Sequence, residues 1–264
     1  MQAIPVRPGS GASLADHPVV PLAGGFLIPS PLAQIPWPAS QPGRGSVSGE
    51  SLLDGSAIDD LLERFAQDYP GGDQRALASQ WSKWLFHAWL SPIIAMIVLA
   101  GRSLPANASE WGVRFDVGGR AERLWLSSGD GSSAPVPAEL LLERLVCGEL
   151  GRAVSVFARH SGASVNVFWS NAGNLVEHVL SRLGDHPATE PVRLARARAF
   201  LDKPRMEGIR NRLYRPVVYR IAAGETEPRR LRRVCCIRYR LECYDYCENC
   251  PLACRSAKAA READ

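Results

Sequence analysis

The sequence predicts an α+β fold that is rich in helices, has a small antiparallel sheet and ends in an irregular C-terminal segment. Three observations predict it. Apolar residues recur at helical spacing through most of residues 56–202, one stretch alternates as a hairpin does, and six of the seven cysteines lie in residues 235–254. The chain has 264 residues, 46% hydrophobic and 22% charged, so it can bury a core without cysteine cross-links.

The chain is expected to have three parts. Residues 1–50 are rich in Pro, Gly and Ser and lack a steady period, which predicts a partly disordered lead-in, although an ordered arm over the core stays open. A helix-rich domain at 51–204 and a basic cysteine segment at 205–264 follow. The start shows no secretory signal, and the longest clean apolar run, at 93–100, is too short to cross a bilayer. We therefore expect a cytoplasmic protein, in which clustered cysteines usually bind metal or act in redox chemistry.

Helical patterns begin in the first half of the expected domain. Ser56 and Asp59 predict a capping box for a helix at 57–68. Tryptophans and leucines recur at helical spacing over 74–101, where we expect Pro92 to separate two helices, the second of them buried. Core packing explains these tryptophans better than stacking against a ligand.

A hairpin and further helices complete the expected domain. Val113, Phe115 and Val117 alternate before a Gly-Gly pair at 118–119, which predicts a hairpin over 113–126. Three helical stretches follow, the first of which forms one helix or two: 138–160, 164–184 and a basic one at 192–202.

The clustered cysteines are the strongest functional signal. They form two overlapping patterns, C-C-x10-C-x2-C at Cys235, Cys236, Cys247 and Cys250, and C-x3-C-x2-C-x3-C at Cys243, Cys247, Cys250 and Cys254. Four thiolates can hold a zinc ion or an iron–sulfur cluster. Neighbouring side chains in a strand point to opposite faces, so the adjacent pair needs an irregular backbone or binds two different irons. Structural zinc sites use spaced pairs, so the spacing favours iron–sulfur and leaves zinc open.

Other classes of site find less support. The second cysteine pattern contains the spacing of radical S-adenosylmethionine enzymes, but only 14 residues follow Cys250, too few for the barrel of those enzymes. Neither a G-x-G-x-x-G after a strand nor a P-loop is present, so we expect no directly bound nicotinamide or flavin. The five histidines show no ligand spacing, and Cys147 falls on an apolar helical face, which predicts a plain buried thiol.

Positive charge is concentrated beside the cysteines. Residues 193–240 hold fifteen Arg and Lys against four Asp and Glu, whereas the whole chain has a net charge of +4. Nearby arginines would stabilise the more negative, reduced form of a [2Fe-2S] cluster; these are Arg229, Arg230, Arg232, Arg233 and Arg238. They can also dock an acidic electron donor such as a flavodoxin or ferredoxin. A solvated basic face is the plain alternative, and no helix-turn-helix or finger spacing supports binding to nucleic acid.

The stretch RRVCCIRYRL, followed by C-x2-CP in the spacing C-C-x10-C-x2-C, resembles the FhuF-type ferric-siderophore reductases. QWSKWLFHAWLSPIIAMIVLAG, FWSNAGNLVEHVL and RNRLYRP are similar to the general pattern of that family, and the resemblance covers roughly residues 60–254. It implies a [2Fe-2S] cluster bound by Cys235, Cys236, Cys247 and Cys250. Cys243 and Cys254 lie outside the family motif and are expected to be spare thiols.

The resemblance also implies an activity and partners. The protein would be an oxidoreductase that reduces siderophore-bound Fe(III) to Fe(II) by one electron and releases iron in the cytoplasm. Its partners would be a ferric siderophore and a separate electron donor, with peripheral contact at the inner membrane left open. Trp169 and Asn171 either contact the siderophore or serve core packing and the polar helix face. A zinc-binding interaction or nucleic-acid protein, and an electron carrier without a siderophore site, stay as alternatives.

Overall fold

The computed structural model describes residues 20–22, 26–28, 38–127, 135–186, 188–221 and 226–253. Within these ranges the chain forms seven α-helices: α1 Gly49–Asp54, α2 Ile58–Ala66, α3 Gln74–Ala100, α4 Ala138–Cys147, α5 Glu149–Ser161, α6 Val165–Leu183 and α7 Pro191–Asp202. Its strands are β1 Val20–Leu22, β2 Phe26–Ile28, β3 Ser46–Ser48, β4 Trp111–Phe115, β5 Ala121–Leu126, β6 Arg205–Met206, β7 Ile209–Arg210, β8 Val217–Arg220 and β9 Arg229–Arg232. All of these strands pair antiparallel, so the predicted α+β class is confirmed.

The largest described sheet has the order β3-β4-β5. Its β4–β5 hairpin confirms the predicted one, but Val117 belongs to the turn and is exposed, so the inward alternation ends at Phe115. The turn closes through a hydrogen bond from the Gly119 amide to the Asp116 carbonyl, and Gly119 has a φ of 72° that favours glycine. Strand β3 pairs with β4, with Val47 opposite Val113, so the chain joins the fold before the expected boundary at residue 51. The three-part division itself stays a prediction.

Helix α3 is the central element of the core. It runs unbroken through Pro92, so the predicted separation into two helices is wrong, whereas the predicted burial of the second half is confirmed. A proline inside a helix costs about 3 kcal/mol. Packing outweighs that cost, because nearly every α3 residue from Ala76 to Ala100 is buried, mainly against α6 and β5. Trp81 and Trp89 are fully buried against aromatic rings, which confirms their role in packing.

Among the described residues, α3 is the one helix with the length and apolar composition to cross a membrane, and most of it lies inside the fold. A core helix has the same composition.

The predicted capping box at the start of α2 is wrong. Ala57 is the N-cap residue of α2 and makes no side-chain cap hydrogen bond. An unpredicted helix, α1, ends just before at Gly55, which leaves Ser56 in a short linker where its amide binds Asp54. The Asp59 carboxylate instead lies 2.7 Å from His160 Nδ1.

The stretch 138–160 forms two helices, α4 and α5, which meet at Gly148. The prediction that Cys147 is buried is wrong, because its side chain is exposed. The buried face of α4 carries Leu141, Leu142 and Leu145, and the last residue of the helix turns away from that face. The predicted helices at 164–184 and 192–202 are confirmed as α6 and α7.

The C-terminal segment packs against the first three turns of α3. Between the β8–β9 hairpin and residue 252 it is irregular except for a 3₁₀ turn at Arg238–Arg240, as predicted. Leu241 is buried and closely approaches Gly72. The Tyr69 and Tyr244 hydroxyls are 3.0 Å apart, so the segment is joined to the helical core by both apolar and polar contacts.

Candidate metal centre

Four cysteine thiols approach one another in two pairs. The Sγ atoms of Cys235 and Cys250 are 3.9 Å apart, and so are those of Cys236 and Cys247. A disulfide would hold its sulfurs at about 2 Å, so neither pair is one. Two thiolates on one tetrahedral metal, with metal–sulfur bonds of about 2.3 Å, lie about 3.8 Å apart. Each pair therefore has the spacing of two ligands on one metal ion.

The two pairs do not merge into a single four-ligand site. Within the described ranges, no three His, Cys, Asp or Glu side chains group closely enough to hold one metal ion. A zinc ion bound by four thiolates would require such a group, whereas a binuclear cluster takes two ligands on each iron. The thiols thus fit a [2Fe-2S] cluster better than zinc. Cys243 is exposed and lies in neither pair, and Cys254 is outside the described residues.

The adjacent cysteines lie in irregular backbone, as the sequence predicts. Ile237, a β-branched residue, has a φ of 52° and a ψ of 12°, a left-handed conformation that such residues rarely adopt. Its amide donates a hydrogen bond of 3.3 Å to Cys235 Sγ. A second tight turn, from the Cys250 amide to the Cys247 carbonyl at 2.9 Å, forms the C-x2-C pair. Because of these turns, Cys235 pairs with Cys250 while its neighbour Cys236 pairs with Cys247.

A buried polar network attaches the cysteine segment to α3 and α6. The Ser79 hydroxyl donates to the Cys236 carbonyl at 2.7 Å. Asn171, which is 2% exposed, donates from Nδ2 to the Ser79 carbonyl at 2.9 Å and to the Ser82 hydroxyl at 3.0 Å. Its Oδ1 accepts a hydrogen bond of 2.7 Å from Arg232. Two helices and the strand before the cysteines therefore position Cys236 through one set of hydrogen bonds.

Two cations lie beside the Cys236–Cys247 pair. Lys83 Nζ is 3.2 Å from Cys236 Sγ and 3.0 Å from Gln80 Oε1. Arg232 is 7% exposed, and its Nε atom is buried without a hydrogen-bond partner. No ion pair joins either cation to a carboxylate in the part of the chain that the structure describes. A buried cation normally requires a counter-charge, which an anionic cluster would supply here.

The charges change how readily these groups ionise. The pKa of the Cys236 thiol is well below its usual value, because Cys236 shares a hydrogen bond with Cys247 and lies near the positive charges of Lys83 and Arg232. The pKa of Cys235 is raised by burial and by the neighbouring thiols of Cys250 and Cys236. Burial lowers the pKa of Lys83, and the Cys236 thiolate opposes that shift. The thiolate form is therefore favoured most at Cys236.

Of the five arginines that the sequence places near the cluster, Arg232 is the buried one. Arg230 is already neutralised, since its Nε donates to Glu177 at 2.6 Å and its Nη1 to Asn174 at 2.7 Å. Arg238 donates to the backbone carbonyls of residues 245 and 246. Arg229 and Arg233 are exposed, where solvent weakens their effect on a buried charge.

Sequence reasoning missed Lys83. It is the sole charged residue between Arg75 and Arg102, in the middle of the most apolar stretch of the chain. A single charged residue within such an apolar stretch indicates that its side chain has a specific partner, and this pattern could have identified Lys83. Asn171, which the sequence offered as a siderophore contact or a polar-face residue, instead lies in the buried network, and Trp169 is partly buried against the core.

The chain matches two family models. Residues 79–224, more than half of the chain, match the model described as a ferric iron reductase FhuF-like transporter, and residues 232–252 match the FhuF 2Fe-2S C-terminal domain. A protein of Escherichia coli (strain K12) described as ferric siderophore reductase is 24% identical over 181 residues, which are 68% of this chain and 67% of that protein.

A solved structure, of aerobactin synthetase IucC from a hypervirulent pathotype of Klebsiella pneumoniae, is 19% identical and covers 66% of this chain and 37% of that one. Its TM-score of 0.42 is too low to bear on fold or function. The matched 2Fe-2S domain spans all four paired thiols and confirms the expected cofactor, a [2Fe-2S] cluster. The chain therefore belongs to the FhuF-like family of ferric iron reductases and ends in the 2Fe-2S domain of that family.

Proposed function

We propose that the protein reduces siderophore-bound Fe(III) by one electron and releases Fe(II) in the cytoplasm. The observation that supports it most is the pairing of four thiols beside a buried arginine and a partly buried lysine, inside the 2Fe-2S domain of a ferric iron reductase family. The E. coli relative, named a ferric siderophore reductase, supports the choice of substrate class.

The proposed ligands are Cys235 and Cys250 for one iron, and Cys236 and Cys247 for the other. When bound, a [2Fe-2S] cluster accepts and passes on single electrons, so one Fe(III) of the substrate becomes Fe(II) for each electron that a donor protein loses. Cys236 and Cys250 are each 1% exposed, whereas Cys235 and Cys247 are partly exposed. Electrons therefore enter and leave most directly at the edge formed by Cys235 and Cys247.

The chain holds this edge by hydrogen bonds to its backbone and places positive charge on one side of it. Ser79 and Ser170 donate to the carbonyls of Cys236 and Val234, each at 2.7 Å, so two helices fix the backbone on both sides of Cys235. A fixed ligand set keeps the structural change between oxidation states small. Lys83 and Arg232 favour the more negative, reduced state by charge alone.

The reaction needs no general acid or base from the protein. Fe(III) is a hard, highly charged ion that oxygen ligands bind tightly, and one added electron lowers its charge and loosens the chelate. This agrees with the absence of any clear catalytic His or carboxylate constellation in the sequence. The protein has only to bring the chelate close to the exposed thiol edge.

A separate acidic protein, such as a flavodoxin or ferredoxin, is the proposed electron donor. Exposed basic and aromatic side chains surround the cysteines and suit such a partner: Arg229, Arg233, Tyr239, Arg240 and Tyr246. The Tyr239 and Tyr246 rings are 5.1 Å apart and form an aromatic patch within this basic surface.

The test begins with protein purified without oxygen. We expect a red-brown sample with about two irons and two sulfides per chain and no stoichiometric zinc. After chemical reduction and removal of excess reductant, a ferric trihydroxamate or triscatecholate is added, and reoxidation of the cluster is followed by absorbance while a ferrous chelator traps Fe(II). Fe(II) that equals the electrons lost by the cluster supports the proposal. A colourless sample with one zinc would refute it, and a cluster that no ferric chelate reoxidises would indicate an electron carrier.

A further inference from the structure

Positive charge is distributed unequally over the two thiol pairs. Lys83 Nζ contacts Cys236 Sγ at 3.2 Å, and the buried Arg232 charge acts on both Cys236 and Cys247. At the other pair, the described donor is the neutral Ile237 amide, 3.3 Å from Cys235 Sγ. The buried Arg232 and the partly buried Lys83 therefore both lie at one pair.

This asymmetry matters because a reduced [2Fe-2S] cluster gains a whole negative charge. A charge that settles on the iron nearer these two cations is stabilised more than one on the farther iron, since Coulomb energy falls with distance and rises as the local dielectric constant falls. Hydrogen bonds to the ligand sulfurs also stabilise the more negative, reduced state. Lys83 supplies both effects at Cys236.

We propose that Lys83, together with Arg232, directs the added electron to the iron bound by Cys236 and Cys247, and that Lys83 is a positioning residue which raises the reduction potential. The inference rests on the ligand pairs assigned under the proposed function. It gives each pair a different task. With a cluster bound, Cys236 and Cys247 would hold the iron that takes up the electron, and Cys235 and Cys250 would hold the iron that stays ferric.

Lys83 reaches the thiols from the third turn of α3, and its role is separable from folding. Its ammonium group contacts Gln80 and Cys236, and the helical hydrogen bonds of its backbone do not involve that group. Lys83→Met keeps the length and helix propensity of the side chain while it removes the charge and the donor. Lys83→Arg keeps both.

The first experiment measures midpoint potentials by spectroelectrochemical titration of protein with its cluster intact. We expect Lys83→Met to lower the equilibrium constant for reduction at least tenfold, a shift of at least 59 mV to more negative potential for one electron. Lys83→Arg should change the equilibrium constant for reduction less than threefold. The matched control is Arg233→Met, which removes an exposed charge two residues from Cys235 and should also change the constant less than threefold.

The second experiment locates the electron in the unchanged protein. In the reduced state, cysteine β-protons at a ferrous and at a ferric iron differ in the temperature dependence of their paramagnetic NMR shifts. We expect ferrous behaviour at Cys236 and Cys247, assigned through contacts with Lys83 and Ile237. Protein labelled with ¹⁵N-lysine should show a ¹⁵N coupling in pulsed EPR that Lys83→Met abolishes.

The outcomes separate this inference from the proposed function. If the unchanged protein holds zinc, this inference and the proposed function are both wrong. If the cluster is intact but ferrous behaviour belongs to Cys235 and Cys250, or if Lys83→Met leaves the potential unchanged, the inference is wrong and the proposed reductase stands. If Lys83→Met cannot retain a cluster, the NMR result on the unchanged protein still decides where the electron resides.

Discussion

Asn171→Ala is the most informative single change to the way the cysteine segment is held. The substitution removes a buried side chain that joins Ser79 and Ser82 on α3 to Arg232 on β9. It leaves the Arg232 guanidinium, already short of one partner, without its 2.7 Å acceptor.

The expected loss of stability follows from the bonds removed. The lost bond from the charged Arg232 donor contributes about 1.5–3 kcal/mol and each lost neutral bond from Nδ2 about 0.5–1.5 kcal/mol, so the total at the lower end of these ranges is roughly 3 kcal/mol. For a chain of this size each kcal/mol lowers the melting temperature by about 2–4 °C, so we expect a fall of roughly 6–12 °C. The backbone around Cys236 should loosen at the same time.

Asn174→Ala is the matched control, with the same substitution one turn later on α6. Asn174 is also buried, but its Oδ1 accepts one hydrogen bond, from Arg230, which keeps Glu177 and the Asn174 carbonyl as partners. We expect a loss of about 1.5 kcal/mol, the low end for a bond from a charged donor, because Arg230 is partly exposed and keeps its other partners. The assay is anaerobic thermal unfolding followed by tryptophan fluorescence, with cluster absorbance recorded in parallel. If Asn171→Ala costs no more than Asn174→Ala and loses its cluster no faster, the network does not hold the metal centre.

Three further predictions concern the ligands, the pH dependence of stability and the electron donor. Cys247→Ser should abolish the visible spectrum of the cluster and its reoxidation by ferric chelates. Cys243→Ser changes an exposed thiol outside both pairs and should keep the spectrum and the reoxidation. Loss of the visible spectrum in Cys243→Ser would show that the proposed ligand set is wrong. The pKa of His178 lies below its ordinary 6.5, because burial and nearby arginine charges disfavour imidazolium. Neutral His178 therefore makes its full contribution to the stability of the fold above pH 6.5. That contribution is lost as the pH falls through the lowered pKa of His178. His178→Gln should flatten the decline of the melting temperature below pH 6.5, and an unchanged decline would contradict the assignment. The rate at which an acidic flavodoxin or ferredoxin reduces the protein should fall about tenfold between low and high salt. The double change Arg229→Gln with Arg233→Gln should weaken that salt dependence. A rate that does not depend on salt would argue against the basic docking surface.

Several features of the fold followed from the local spacing of residues along the chain. The periodic apolar residues specified α6, α7 and the β4–β5 hairpin, because the facing of side chains in helices and strands follows directly from backbone geometry. The four cysteines and their family motif indicated the cofactor, since ligand spacing is also local. Local rules failed where packing opposed them. Pro92 lies within one helix because burial of α3 outweighs the lost hydrogen bond, and Cys147 is exposed at a helix end.

The residues that complete the metal centre are distant in sequence and come together through packing of the whole chain. Lys83 contacts a thiol 153 positions away, and Asn171 connects α3 to the strand that precedes the cysteines. The division of four thiols into Cys235–Cys250 and Cys236–Cys247 depends on two tight turns and one left-handed residue, Ile237, which no periodic pattern indicates. Such contacts are set by how the elements pack, and packing depends on the whole chain at once, so a short stretch of sequence carries little information about it.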